Sequence, residues 1–316
     1  MAFLIDIPSD IGGLQTVLTN VYNTMIVHCS ELIGISSALA AFGTLWYVAT
    51  HIWMRLSKAE PVEIEPLYRP LAIGIAITLF PYVIALINGV MQPTVTGTAA
   101  IVNNANQGVA TLLQQREEVL QQSSEWQMYV NSGGSGDLGK WEELSGEADS
   151  GFLSGVSNRV KFEMAKASYN MRSSIKVWLS ETLQLLYEAA ALSINTVRTF
   201  YMIILAILGP MAFAFSVYPG LQASLGQWFS RYLHVYLWLP VTNIFGSLLA
   251  QIQQEMIRLD IAQLGSTGQT TFSPTDSAYI IFLIMGIVGY ITVPSVTHYI
   301  VRSAGLGARL WRDRLT

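Results

Sequence analysis

Cys29 is the only cysteine in this sequence, so no disulfide closes within the chain, and packing or partners must hold whatever lies outside a reducing compartment. Charge is also scarce. Asp, Glu, Lys and Arg make up 12% of the 316 residues against 52% hydrophobic ones, whereas about 25% charged residues is usual for a soluble domain. Catalytic patterns are missing as well. His28, His51, His234 and His298 stand apart, each at or inside an apolar stretch, with no His-x-x-x-His or Cys-x-x-Cys spacing to ligate a metal. Neither Gly-x-Ser-x-Gly nor the complete Walker pattern occurs, so ester hydrolysis and nucleotide-driven work have no basis in the sequence. The expectation is a non-enzymatic chain with no cofactor and no metal, whose energy comes from a partner. The N-terminus has no basic region followed by a short apolar run and a small-residue cleavage site, so no cleavable signal peptide is expected.

Long apolar runs are what the sequence has in abundance. Leu32 to Met54 contains no formally charged side chain, and roughly 20 apolar residues suffice to cross a bilayer core as one helix. Leu71 to Met91, Thr199 to Tyr218, Tyr232 to Ala250 and Ser277 to Val301 approach the same specification. These runs predict an all-α polytopic helical integral membrane protein, with about five transmembrane helices and long amphipathic extramembrane helices. Its expected organisation is an outer N-terminal segment (1–30), two transmembrane helices (31–91), a largely periplasmic helical region (92–198), a three-helix membrane region (199–301) and a cationic cytoplasmic tail (302–316).

Charge placement orients these spans. The first 30 residues hold Asp6 and Asp10 but no Lys or Arg, while Arg55, Lys58 and Arg69 crowd the connection after the first run. The positive-inside rule puts that connection in the cytoplasm and the N-terminus outside. Arg231, between the third and fourth runs, falls on the same inner side. Arg302, Arg309, Arg312 and Arg314 follow the last run, so five spans satisfy both ends. Near the surface each such basic group gains about 1 kcal/mol from anionic headgroups, which makes these residues topology and lipid contacts.

Local punctuation refines the picture. A short interfacial helix is expected after Pro8. Pro61 and Pro66 prevent a regular helix from crossing the hinge Lys58 to Pro66, and Pro81 should kink the second span. Apolar positions from Val109 through Val130 recur at helical spacing among glutamines and charges, which predicts an amphipathic helix outside the membrane. Asn131 to Gly139 reads as a flexible loop, followed by the acidic segment Trp141 to Asp149. Two readings stay open for Arg159 to Arg198. Either Val177 to Tyr218 is one helix projecting from the bilayer, or Val177 to Asn195 is a sixth span. Glu181 and Glu188, seven residues apart on nearly one helical face, are suited to an aqueous lumen or a basic partner. Gly286 and Gly289 offer a smooth patch for bundle packing or subunit assembly.

The most specific local signal is Gly209-Pro210-Met-Ala-Phe-Ala-Phe-Ser-Val-Tyr-Pro219-Gly220, followed by Trp228-Phe-Ser-Arg231-Tyr232 and by Trp238-Leu-Pro240-Val-Thr-Asn243. Gly209-Pro210 is expected to break or bend the third span, Pro219-Gly220 to end it, and Pro240 to open backbone bonding near Asn243. Trp228 is placed near the inner interface, with Arg231 reaching towards water or lipid phosphate. This block resembles the membrane channel component of conjugative type IV secretion systems, the TrbL family, and particularly its TraJ-type members in conjugative transposons. The resemblance implies an inner-membrane channel or conduit component that assists passage of single-stranded DNA and associated protein. It implies structural or conductive roles for Gly209, Pro210, Pro219, Trp228, Tyr232, Trp238, Pro240 and Asn243. The implied partners are further copies of the chain, periplasmic stalk or pilus subunits, the phospholipid bilayer, and transient single-stranded DNA and relaxase cargo. A non-conductive assembly scaffold and a small-solute transporter built on broken helices are the alternatives.

The charge pattern makes a direct prediction about orientation. Alkaline phosphatase inserted at Gly134 should be active, because the enzyme folds only outside the cytoplasm, and the same insertion at Lys58 should be inactive. The reverse pattern would invert the assigned topology.

Overall fold

The structure, a computed structural model, describes residues 7–59, 61, 68–130, 136–145, 152–267 and 274–303. Among these residues every regular element is a helix: α1 (Ile7–Ile26), α2 (Cys29–Ser57), α3 (Tyr68–Thr78), α4 (Phe80–Gln122), α5 (Ser124–Tyr129), α6 (Leu138–Ser145), α7 (Phe152–Phe215), α8 (Ala223–Tyr236), α9 (Trp238–Thr267) and α10 (Pro274–Ser303). Four stretches are long and apolar enough to cross a membrane: Ser30–Ser57, Leu185–Phe215, Ala223–Ser266 and Ile281–Arg302. They contain two of the five runs predicted from sequence, Leu32 to Met54 and Tyr232 to Ala250, and overlap two more, Thr199 to Tyr218 and Ser277 to Val301. The fifth run is broken at Leu79, where α3 and α4 meet at 83°. The chain is thus an all-α membrane protein with four continuous candidate spans, or five if the bent pair is one span.

The break falls beside Pro81, whose missing N–H removes the bond that would continue α3. Proline is tolerated in the first turn of α4, where amides lack intrahelical partners. The Leu79 N–H still donates to Ile75 O at 2.9 Å, and the Leu79 carbonyl accepts the N–H groups of Tyr82 and Val83 at 2.9 and 3.1 Å. The backbone therefore turns sharply while its polar groups at Leu79 stay paired, as a low-dielectric surrounding demands.

Two helices run longer than expected. The whole of α7, 64 residues, is one uninterrupted helix, so nothing separates Val177 to Asn195 from the apolar run after it. The reading of a separate sixth span gives way to the single-helix reading. Likewise α4 carries the second apolar run straight into the amphipathic stretch and ends at Gln122. Ser123 then caps a new helix by accepting the Trp126 N–H at 3.4 Å, which divides the amphipathic helix predicted through Val130. At the other end of the first span, α2 stops at Ser57 and Ala59 adopts φ 56, a left-handed residue after a helix end. Residues 60 and 62–66 of the hinge lie outside the described residues. The same holds for 131–135 of the glycine-rich loop and for 146–149 of the acidic segment.

The chain folds as two compact units, one of Met1–Ala99, Ala190–Thr242 and Tyr290–Thr316, the other of Ala100–Ala189 and Asn243–Gly289. The first has a core of Ile73, Ile77, Phe80 and Ile84 against Met202, Ala206 and Phe213 of α7 and Trp228, Tyr232 and Val235 of α8. It also has an open apolar groove of about 1160 Å³ between α2 and α3, walled by small residues such as Ser37, Ala41, Thr44 and Gly74.

The second unit closes by tight glycine contacts and by polar ties. A Cβ on Gly289 would lie 1.9 Å from the Phe245 ring, and one on Gly286 would meet Leu249 and Tyr187 at 3.0 to 3.1 Å. The smooth patch of α10 is therefore filled by intrachain helix packing. Gln254 donates to Ala105 O at 2.8 Å, and Arg116 pairs with Asp260. Tyr129, Trp141, Phe162 and Tyr169 stack around α5 and α6. Gly136, at φ 73, lies where a Cβ would strike both Met128 O and Phe162.

Gly289→Ala should lower stability by about 1–3 kcal/mol through overpacking against Phe245. Gly74→Ala, whose Cβ meets nothing within 4 Å, should leave it unchanged. Thermal unfolding of the detergent-solubilised protein followed by circular dichroism distinguishes the two, and equal melting temperatures would refute the Gly289 contact.

Candidate membrane site

Gly209 is buried because the ring of Phe80 occupies the space where its side chain would be. A Cβ there would lie 2.0 Å from the ring. Phe80 is the first residue of α4, immediately after the 83° break, so the glycine of the α7 motif receives the corner of the broken helix. Around it the rings of Phe80, Phe213, Trp228 and Tyr232 make successive contacts with centroids 5.3 to 5.7 Å apart. Edge-on and tilted pairs of this kind contribute about 0.5–1.5 kcal/mol each beyond their buried area.

Pro210 is fully buried beside Gly209. Its ring crowds the preceding turn and supplies no N–H to it, yet α7 continues unbroken to Phe215. Of the break or bend expected at Gly209-Pro210, the break is therefore absent. The Trp228 indole N–H donates to Leu205 O at 2.8 Å in that turn, the carbonyl next to the Ala206 O that Pro210 leaves without its helical donor. The helix ends at Phe215, before Pro219 is reached. Ser216 Oγ donates to Phe213 O at 2.6 Å and Ser224 Oγ to Ala212 O at 2.9 Å, so side chains cap the last carbonyls. Gly220, at φ 88, reverses the chain next to the exposed Pro219. The Tyr218 hydroxyl donates to Leu39 O at 3.0 Å, its ring lying over Gly43 of α2.

The remaining motif residues occupy the start of α9. Trp238 and Pro240 are buried there, and Pro240 stands in the first turn, where a missing N–H costs little. Leu237 separates α8 from α9, yet its N–H donates to Leu233 O at 3.0 Å and its carbonyl accepts the Val241 N–H at 3.1 Å, so helical pairing runs through it. Asn243 is half-buried and is the first residue of the second unit along α9.

Gly209, Pro210, Trp228 and Tyr232 thus come together in one core, while the other predicted residues do not join it. Glu181 and Glu188 lie on α7 within the second unit, Glu188 half-buried. The basic residues are spread out. Arg69 Nη2 reaches Gln222 O at 3.5 Å, at the turn between α7 and α8. Arg55 is half-buried, and Lys58, Arg231 and Arg302 are exposed. Arg309, Arg312 and Arg314 lie outside the described residues.

Sequence reasoning missed a polar network inside the first unit. Tyr232 donates to Asn88 Oδ1 at 2.8 Å, Asn88 Nδ2 donates to the Tyr22 hydroxyl at 3.0 Å, and the two phenols are 3.3 Å apart. Tyr236 adds contacts of 3.4 Å to Asn88 O and to Gln92 Oε1. The available signal was spacing, since Asn88 and Gln92, like Tyr232 and Tyr236, are one helical turn apart within apolar runs. His234 and His298, remote in sequence, also meet with ring centroids 5.7 Å apart, and His234 Nε2 is bonded to Pro294 O at 2.9 Å. Among the described residues no group of three or more His, Cys, Asp or Glu is placed to hold a metal. Gly134 to Lys140 does carry the Gly-x4-Gly-Lys spacing of a phosphate loop. However, Trp141 stands where that loop needs Ser or Thr, helix α5 precedes it, and Lys140 Nζ is engaged with Gln127 at 2.9 Å.

Apolar spans joined through a buried aromatic core and an internal polar network define a polytopic α-helical membrane protein. Its lineage follows from its sequence. The family model for homologues of TraJ from Bacteroides conjugative transposon matches residues 9–313, and the chain belongs to that family. No curated protein matches it.

The contact between Phe80 and Gly209 is testable by a double-mutant cycle. Gly209→Ala should cost about 1–3 kcal/mol by overpacking in the parental protein and distinctly less in a Phe80→Leu background, because the two residues share one space. Additive losses of thermal stability would show that they do not.

Proposed function

We propose that this chain is an inner-membrane conduit component of a conjugative type IV secretion machine, assisting passage of single-stranded DNA and its attached relaxase. The observation that carries this reading is membership of the conjugative-transposon TraJ family over nearly the full sequence, residues 9–313. The helical composition supports it, since four or five candidate spans give a body suited to the bilayer. The motif side chains in the first unit are occupied in packing against one another, which leaves no passage through that core. A route wide enough for DNA therefore forms between copies of the chain, arranged around a central axis beneath periplasmic stalk or pilus subunits. In this reading the N-terminus is periplasmic and the C-terminus cytoplasmic. The approach of Arg69 to Gln222 O supports that orientation, because it brings the first basic connection to the turn between α7 and α8, as expected if both are on one side.

Asn243 offers an amide within an apolar helix, and Pro210 shapes the turn below Phe80. Asn243→Leu and Pro210→Ala should lower conjugative transfer several-fold while membrane abundance and recovery of the secretion complex fall much less, because insertion depends on apolar length and paired backbone groups. A photo-crosslinking residue at position 243 should capture DNA or relaxase during active transfer. Adducts confined to other machine subunits, together with parental transfer rates for both variants, would replace the conduit with a scaffold.

A further inference from the structure

Arg198 is the last charged residue of α7 and stands where the uncharged part of the candidate span Leu185–Phe215 begins, at the margin of a medium in which charged groups are costly and are normally paired. Its Nε is buried without a hydrogen-bond partner. Its guanidinium lies over the ring of Tyr236, 5.4 Å from the centroid, an interaction that moderates the charge but accepts no N–H bond. Two more buried groups are also unsatisfied: Asn195 Oδ1, an acceptor one turn earlier on α7 that Arg198 Nε does not engage, and the indole N–H of Trp238 on α9, whose ring meets Tyr201, one turn after Arg198, edge-on at 5.8 Å. The polar side chains of the neighbouring network do not supply the missing acceptor, since Tyr22, Asn88 and Tyr232 are bonded among themselves. Buried donors left open in this way are costly, more so when charged, so a site with two of them in the native fold calls for an acceptor from outside.

We propose that Arg198, with the Trp238 indole N–H as a second open donor, binds the phosphate of a glycerophospholipid. Two further observations select that ligand. Arg198 immediately precedes the apolar run Thr199 to Tyr218, which puts the guanidinium at headgroup depth. From the same level Val197, Phe200, Ile204 and Leu208 form an exposed apolar stripe at helical spacing along α7, a track for an acyl chain descending from the bound phosphate. The guanidinium fork matches phosphate geometry, and the lipid removes the open donors without needing an acidic side chain in the span. This site depends on the chain being a membrane protein and not on the conduit reading.

The test uses the full chain in mild detergent, with retained lipid counted by native mass spectrometry and short-chain phosphatidylglycerol titrated against tryptophan fluorescence. Wild type should retain phospholipid and titrate saturably. Arg198→Met should lose the retained lipid and bind at least about tenfold more weakly, the scale of one charge-assisted contact. Arg198→Lys, which keeps the charge but not the fork, should fall between them, and Arg258→Met, altering an exposed arginine, should match wild type. A wild-type protein without saturable binding overturns the proposal, as does equal binding by Arg198→Met. Displacement by inorganic phosphate at the same concentrations reassigns the site to a free anion. Arg198-dependent displacement by oligodeoxythymidylate reassigns it to DNA. If Arg198→Met does not accumulate, the wild-type titration and Arg198→Lys decide.

Discussion

The approach of the Phe80 ring to the backbone of Gly209 is the contact on which the first unit depends. Phe80 begins α4 at the far side of an 83° turn, so its position fixes the direction in which the helix leaves α3. The ring is fully buried and touches Phe213 and Trp228 as well. Any side chain at 209 would displace it and, with it, the corner of the broken helix. Between helices in lipid there is little gain from moving apolar surface out of water, and close van der Waals packing does the work instead. A glycine facing an aromatic ring is the arrangement that maximises such packing, and it recurs in the second unit, where Gly289 faces Phe245.

The same medium dictates how polar groups are handled. At Leu79 the chain turns without orphaning the leucine's own amide or carbonyl, and at Pro210 a tryptophan reaches across to a carbonyl of the crowded turn. Tyr22, Asn88 and Tyr232 bond to one another, so both hydroxyls and both polar atoms of the Asn88 amide have a partner within the unit. Arg198 departs from this rule, and that departure marks it as a binding group rather than a structural one. Packing and binding are thereby divided between neighbouring residues of α7: Gly209 and Pro210 are consumed by the core, while Arg198 faces a requirement the chain does not meet.

Outside the apolar runs the second unit uses the vocabulary of water-soluble helices. Ser123 caps a helix start, Arg116 pairs with Asp260, and an aromatic cluster gathers around the short helices α5 and α6. Its part of α7 carries Glu181 and Glu188 along with several lysines and arginines, whereas the same helix is free of charge beyond Arg198. One continuous helix thus passes from a region stabilised by polar ties to one stabilised by close packing.

The sequence by itself determined which stretches are apolar enough for the bilayer, that every such stretch is helical, and where proline or glycine disturbs regularity, because these properties are sums over neighbouring residues. It located a disturbance at Pro81 but not an 83° corner, since the angle depends on what receives Phe80. It marked Gly209-Pro210 as a break or bend by residue type, while in the tertiary structure α7 stays helical through it, with the glycine facing an aromatic ring and Leu205 O in the preceding turn accepting a tryptophan N–H. Only the tertiary structure joined Asn88 to Tyr232, 144 residues apart, left Arg198 Nε without a partner, and filled the glycines of α10 with Phe245 and Leu249. Periodicity along one helix says which face is small or polar, but the partner on that face comes from a distant segment and is chosen by shape and hydrogen-bond complementarity in three dimensions.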